Sequence, residues 1–279
     1  MTRPLTILAA LALAACSGGE ATEVTPTPEP VEVPEVAPEP TAEDAAADDE
    51  AAEAALVPSP SETQRALEAA GIDVTLASLI DHPNLSMSSD SEDQLAVGVG
   101  VVVADMLLTA KTSTKEQLVE QIQTISTGMK QLEGGSDIEA VLADLEERVN
   151  TDAITRDELV AELEMLSAAV IPELEFNGRA RIVPLIQAGS WLEASHLLAR
   201  ALQQAGQLGA ADALLKQPEV VSYFQRYASD NTLDTPAPIS ATLVTSLATL
   251  SELSNKEGAL TMDDMAAVEA ATRAVLALL

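Results

Sequence analysis

The sequence predicts an all-α fold: an irregular bundle or array of about ten to twelve helices behind a disordered linker rich in Pro, Glu and Ala. Three observations carry that prediction. Apolar residues recur at three- and four-residue spacing from residue 61 onward, Ser or Thr followed three residues later by Glu or Gln precedes most of these stripes, and glycines and prolines fall where the stripes stop.

The start signals have a mechanism. A hydroxyl oxygen accepts a hydrogen bond from the amide three residues on, while Glu or Gln reaches back to the amide of the capping residue. Such pairs occur at Ser61/Gln64, Ser89/Glu92, Ser113/Glu116, Ser136/Glu139, Thr155/Glu158 and Ser190/Glu193, with Thr261/Asp264 a looser case. Ser254/Glu257 has the same spacing, but Gly258 follows at once and assigns it to a turn. Gly71, Gly134, Gly135, Gly178, Gly189 and Gly206 sit as C-terminal stops, and Pro83 and Pro218 interrupt further segments. Helices are therefore expected over 61–70, 74–81, 90–111, 114–133, 137–149, 156–174, 179–188, 190–205, 209–216, 218–229, 238–254 and 262–279. In 137–149, Ile138, Val141, Leu142, Leu145 and Val149 form the expected buried stripe and leave Glu146, Glu147 and Arg148 to water.

Residues 95–104, LAVGVGVVVA, read locally as a strand. A capping box before them and the continuation DMLLTAK predict instead a central helix buried on most sides, in which Gly98 and Gly100 permit close approach of a neighbour. The run is too short for a membrane hairpin, and Asp105 interrupts it.

Upstream, the composition changes. Residues 16–60 hold eight of the fifteen prolines and no Lys or Arg, so fixed φ angles, missing donors and like-charge repulsion predict an unpacked tether with a reach on the order of 100 Å. Residues 61–279 form the helical domain, with 61–150 and 151–279 as candidate lobes. Arg3 followed by the uncharged run Leu5 to Ala15 has the layout of an export signal; a retained span needs roughly 20 apolar residues. Leu13, Ala14, Ala15 and Cys16 resemble the lipobox of bacterial lipoproteins. That resemblance implies that residues 1–15 are a cleaved signal peptide and that Cys16 is diacylglycerylated and acylated, holding the protein to a membrane of the bacterial cell envelope by its acyl chains. Ser17 in place of Asp favours the periplasmic side of the outer membrane over the inner membrane or the cell surface. Cys16 is the sole cysteine, so the domain has no disulfide.

Composition narrows the function classes. With 14 basic and 45 acidic residues the formal charge is −31, a field that repels nucleic acid, and 2% aromatic content supplies few stacking surfaces for bases or sugars. His82 and His196 have no metal-ligand spacing and no cysteine remains to complete a zinc site, so neither metal nor cofactor is expected. The acid clusters Asp90 to Asp93 and Asp263-Asp264 fall in first helical turns, where carboxylates complement the helix dipole, and lack the calcium-loop pattern. No nucleophile elbow is present, and no enzymatic activity is expected. The stretch after Pro172 gathers Phe176, Trp191, Arg179, Arg181 and Arg200. It is either an anion-binding group or a set of salt bridges to Glu173, Glu175 and Glu193 with Trp191 filling a helix interface. The functional expectation is a non-catalytic helical domain for interaction with an envelope protein partner. The alternative is a binding protein for an aliphatic or lipid-like molecule in an apolar cleft between helices.

Overall fold

Capping chemistry sets where each helix begins, and the buried face decides which of several neighbouring hydroxyls does the capping. In a computed structural model, which describes residues 57–81, 85, 87–230 and 238–279, ten α-helices and three 3-10 turns are present and no strand occurs among the described residues. The lipobox residues Leu13, Ala14, Ala15 and Cys16, the tether up to residue 56 and His82 lie outside them. All described residues belong to the compact unit 42–279.

Helix α1 (Pro60–Ala69) starts behind Ser59, whose box is closed by Glu62, two residues before the expected Ser61. α2 (Glu92–Thr109) is capped by Ser91 rather than Ser89, and α3 (Lys115–Gln131) by Thr114 with Gln117 rather than by Ser113. α4 (Ser136–Asn150) has Gly135 at its cap, so Ser136 is already helical. α5 (Arg156–Phe176) and α10 (Met262–Leu276) begin at the expected boxes, Thr155/Glu158 and Thr261/Asp264. Between them run α6 (Val183–Ala205), α7 (Ala211–Leu215), α8 (Pro218–Asp230) and α9 (Pro238–Ser254).

Four expectations need correction. Residues 76–79 form a 3-10 turn instead of a helix over 74–81. The segment 209–216 divides into the turn Leu208–Ala210 and the short α7. Val141 is 46% exposed and leaves the buried stripe of α4 to its neighbours. The largest change is at Gly189, where no break occurs: after a 3-10 turn at Ala180–Ile182, α6 runs through Gly189 and Ser190 without interruption. A Cβ at Gly189 would lie 2.1 Å from the carbonyl oxygen of Val97, so this glycine permits helix contact instead of stopping a helix. With no helix start at Ser190, its expected box partner Glu193 is fully buried in the middle of α6.

α2 and α6 form the centre. Thirteen of the eighteen residues of α2 and sixteen of the twenty-three of α6 are buried, and the run LAVGVGVVVA is helical. The two helices run in the same direction, because Arg181 at the head of α6 pairs with Glu92 and Asp93 in the first turn of α2. Gly100 seats the second close contact, where a Cβ would be 2.0 Å from the carbonyl oxygen of Ile186. Backbones that approach this closely leave no room for a methyl group on either glycine.

Around this pair, α3 packs on α2, α4 packs back on α3, and α10 covers α6 while α9 joins α10 to α8. The main core takes Val99, Ile122 and Leu142 from before position 150 and Leu174, Val221 and Val268 from after it. A division at 150 therefore separates no two cores. A second apolar cluster joins Leu67 and Leu76 to Leu197 and Leu202 of α6 and to Leu260 and Met265, fixing α1 against the far end of the central helix. Among the described residues, no helix is long and apolar enough to cross a membrane.

Candidate functional site

The site begins with the way α5 is held. Of its twenty-one residues only Leu159, Leu163 and Leu174 are buried. Leu166, Val170 and Ile171 continue the same inward stripe but are half-buried. Anchored near both ends, α5 stands off from α2 in the middle. Pro172 lies within this helix and cannot donate to the carbonyl of Ala168, which removes one rung of the ladder beside the gap.

The space beneath is a cleft of about 410 Å³. Val99, Val103, Met106 and Leu107 of α2 and Val183 and Ile186 of α6 form its floor, and Ile125, Met129, Ile138 and Leu142 of α3 and α4 close one end. α5 supplies the outer wall. The lining holds aliphatic and thioether side chains and no aromatic ring. Its size falls within the roughly 300–1,000 Å³ of ligand pockets.

Polar groups collect at the rim. The segment Val57 to Pro60 enters α1 along the mouth, and the capping box holds the Glu62 carboxylate on the Ser59 amide at 2.8 Å. Arg65 Nη2 donates to Glu164 Oε1 at 2.7 Å, so one ion pair joins α1 to α5 across the opening. Their side chains are 64% and 38% exposed, which makes this a solvated pair worth about 0–1 kcal/mol and easily parted. On the α6 side, Gln187 Oε1 accepts from the Tyr223 hydroxyl at 3.0 Å, and Ser190 also faces the cleft.

The arginines expected to gather do so only in part. Arg179 donates to Glu92 Oε1 at 3.1 Å and to Glu133 Oε2 at 2.6 Å. Arg181 donates to Glu92 and to Asp93 Oδ1, the latter at 2.8 Å, while Ser240 Oγ donates to Asp93 Oδ2 at 2.8 Å. Burial lowers the proton affinity of Arg181, but Asp93 and Glu92 outweigh it and hold the guanidinium above its ordinary value. Arg200 lies elsewhere, seventeen residues and roughly 25 Å along α6 from its start. There it donates to the Leu79 carbonyl and to Asp81 Oδ2, both at 2.7 Å.

The acids that face the three are Glu92, Glu133, Asp93 and Asp81, in place of the expected Glu173 and Glu175. Parallel packing of α2 and α6 brings the acidic first turn of α2 to Arg179 and Arg181, and these carboxylates occupy the donors that an anion would need. Trp191 does fill a helix interface: it is 4% exposed, its ring centroid is 5.3 Å from that of Phe224, and Nε1 donates to Gln217 Oε1 at 2.7 Å. Phe176 instead stands 87% exposed at the end of α5.

His196 is buried in α6 with Nδ1 3.1 Å from Thr272 Oγ1, and burial pulls its proton affinity below the ordinary value. The Thr272 hydroxyl also lies 2.9 Å from the Val268 carbonyl and 3.0 Å from that of Glu269. Asp264 completes the α10 capping box and pairs with Lys256, and its carboxyl is held down at about 2, chiefly by Lys256 and the Thr261 hydroxyl. Among the described residues no group of three or more His, Cys, Asp or Glu could hold a metal ion.

The cleft residues carried no individual signal in the sequence. An apolar stripe reads the same whether it packs or lines a cavity, and the only local hint is that α5 also exposes Met165 and Phe176. No family model, curated protein or solved structure matches the chain.

Proposed function

We propose that the helical domain binds an aliphatic chain in the cleft under α5, and that it does so as a lipid-anchored protein of the bacterial envelope. The observation that supports the binding reading is the lining: flexible, unbranched or branched aliphatic side chains and methionines, without an aromatic ring, fit an extended hydrocarbon better than a planar or sugar ligand. A magnitude argues in the same direction. Closing 410 Å³ of apolar space from water without filling it would cost on the order of 10 kcal/mol, comparable with the whole stability of a domain. A rim that can part, joined by a solvated ion pair, is what an occupied cleft requires.

The anchoring half of the proposal rests on the likeness of Leu13 to Cys16 to a lipobox. Metabolic labelling with a radioactive fatty acid tests it: label in the wild type and none in Cys16→Ser is expected, and an unlabelled wild type would overturn it. Thermal unfolding tests the binding half. A ligand at a hundred times its Kd stabilises by about 2.7 kcal/mol, or roughly 5–10 °C for a domain of this size. A C12–C16 chain that leaves the midpoint unmoved would contradict the reading.

A further inference from the structure

Resting on the chain-binding reading, we infer that the ligand is a long-chain carboxylate, its hydrocarbon in the cleft and its head taken by Arg65 at the rim. Arg65 is the only cation among the described residues that line the cleft; Glu62 and Glu164 are the acids. Glu62 is already committed to the Ser59 amide. The Arg65 guanidinium spends one donor on Glu164, and its fork of five donors leaves an edge that receives a planar carboxylate through two parallel hydrogen bonds. Glu164 need not be expelled into an apolar environment when the head arrives, because its side chain already reaches solvent.

Charge and shape oppose the other heads. An ammonium would meet Arg65 at a mouth whose acids are already engaged, Glu62 by the Ser59 amide and Glu164 by Arg65 itself, and a neutral hydroxyl would gain only a single hydrogen bond from the cation. Beyond the rim the walls offer no second charge, so the rest of the ligand has to be hydrocarbon. The same pair joins α1 to α5, so a head bound on the free edge of Arg65 sits beside the contact that closes the mouth.

The test compares laurate, dodecanol and dodecyltrimethylammonium, each below its aggregation limit at neutral pH, by isothermal titration on the protein, on Arg65→Gln and on Glu164→Gln. In the unaltered protein laurate is expected to bind about fivefold more tightly than dodecanol, with a gap that narrows as salt rises, and the ammonium more weakly than either. Arg65→Gln should bring laurate to the level of dodecanol while leaving dodecanol unchanged, and Glu164→Gln should tighten laurate alone. Equal binding of laurate and dodecanol, or a gap that survives Arg65→Gln, would overturn the head assignment and leave chain binding standing. Tightest binding by the ammonium would overturn it too. If no amphiphile binds, the chain-binding reading fails with it. Arg65 is exposed and Glu164 half-buried, and an unchanged unfolding midpoint without ligand certifies the fold.

Discussion

Replacing Gly100 by Ala should destabilise the domain, while the same change two residues earlier in the same helix should not. A Cβ at position 100 would sit 2.0 Å from the Ile186 carbonyl oxygen and 2.9 Å from the Ser190 amide nitrogen, both backbone atoms that no rotamer change can move. Restoring an ordinary contact of about 3.4 Å means parting α2 from α6 by roughly 1.4 Å, and a gap of 0.5–1 Å already forfeits a quarter to a half of each dispersion contact. Because these are the two most buried helices, the cost belongs at the upper end of the overpacking range, about 3 kcal/mol, against which helix propensity returns about 1. The net loss of about 2 kcal/mol corresponds to a fall of roughly 4–8 °C in the unfolding midpoint. Gly98 is the control. Its Cβ would meet Met87 Cε at 3.5 Å, an ordinary contact, so Gly98→Ala should be neutral or gain up to about 1 kcal/mol. Urea and thermal unfolding of the two variants beside the unaltered protein measure the difference. A Gly100→Ala variant as stable as Gly98→Ala would refute the close crossing at the centre of the fold.

Two further outcomes follow from the charged groups. Arg181→Ala strands Asp93, which is 3% exposed, with Ser240 as its remaining donor; a loss of about 2 kcal/mol is expected in urea unfolding, allowing for a guanidinium about a third exposed, and stability unchanged within 0.5 kcal/mol would contradict a structural role. His196 has a folded proton affinity below the ordinary value of 6.5, so the unfolded chain binds its proton first and stability should begin to fall as the pH drops through 6.5. Glu193, Arg200, Glu269 and Arg273 bear on the same ring in opposing senses. His196→Gln should remove that step and leave the later loss below about pH 4, where Asp264 is protonated on its way from 3.8 toward its folded value of about 2. Retention of the full step in His196→Gln would assign it to another group.

Element existence was legible in the sequence because periodic apolar stripes at three- and four-residue spacing survive any error in their ends. Cap register was not, since Ser59 and Ser61, Ser89 and Ser91, or Ser113 and Thr114 each offer a hydroxyl within one or two positions, and only the buried face selects among them. Gly189 misled for a physical reason: a glycine that ends a helix and a glycine that admits another backbone look alike until the partner, Val97, is known. The arginine pairs were hidden by distance along the chain, Arg181 lying 88 residues from Asp93 and Arg179 lying 87 from Glu92. The cleft was least legible of all. Val103, Leu166 and Ile171 are the residues that a packed core would use, and what makes them a site is that α5 is pinned at Leu163 and Leu174 but stands away between them.

The most direct test of chain binding is methyl NMR on protein labelled at Ile, Leu and Val, titrated with laurate and examined for contacts between its methylene protons and the protein. Shifts and cross-peaks are expected at Val103, Leu142, Leu166, Val170 and Ile171, with Val244 and Leu278, exposed elsewhere, unmoved. Cross-peaks to Val244 or Leu278, or none at all under the cleft, would contradict it.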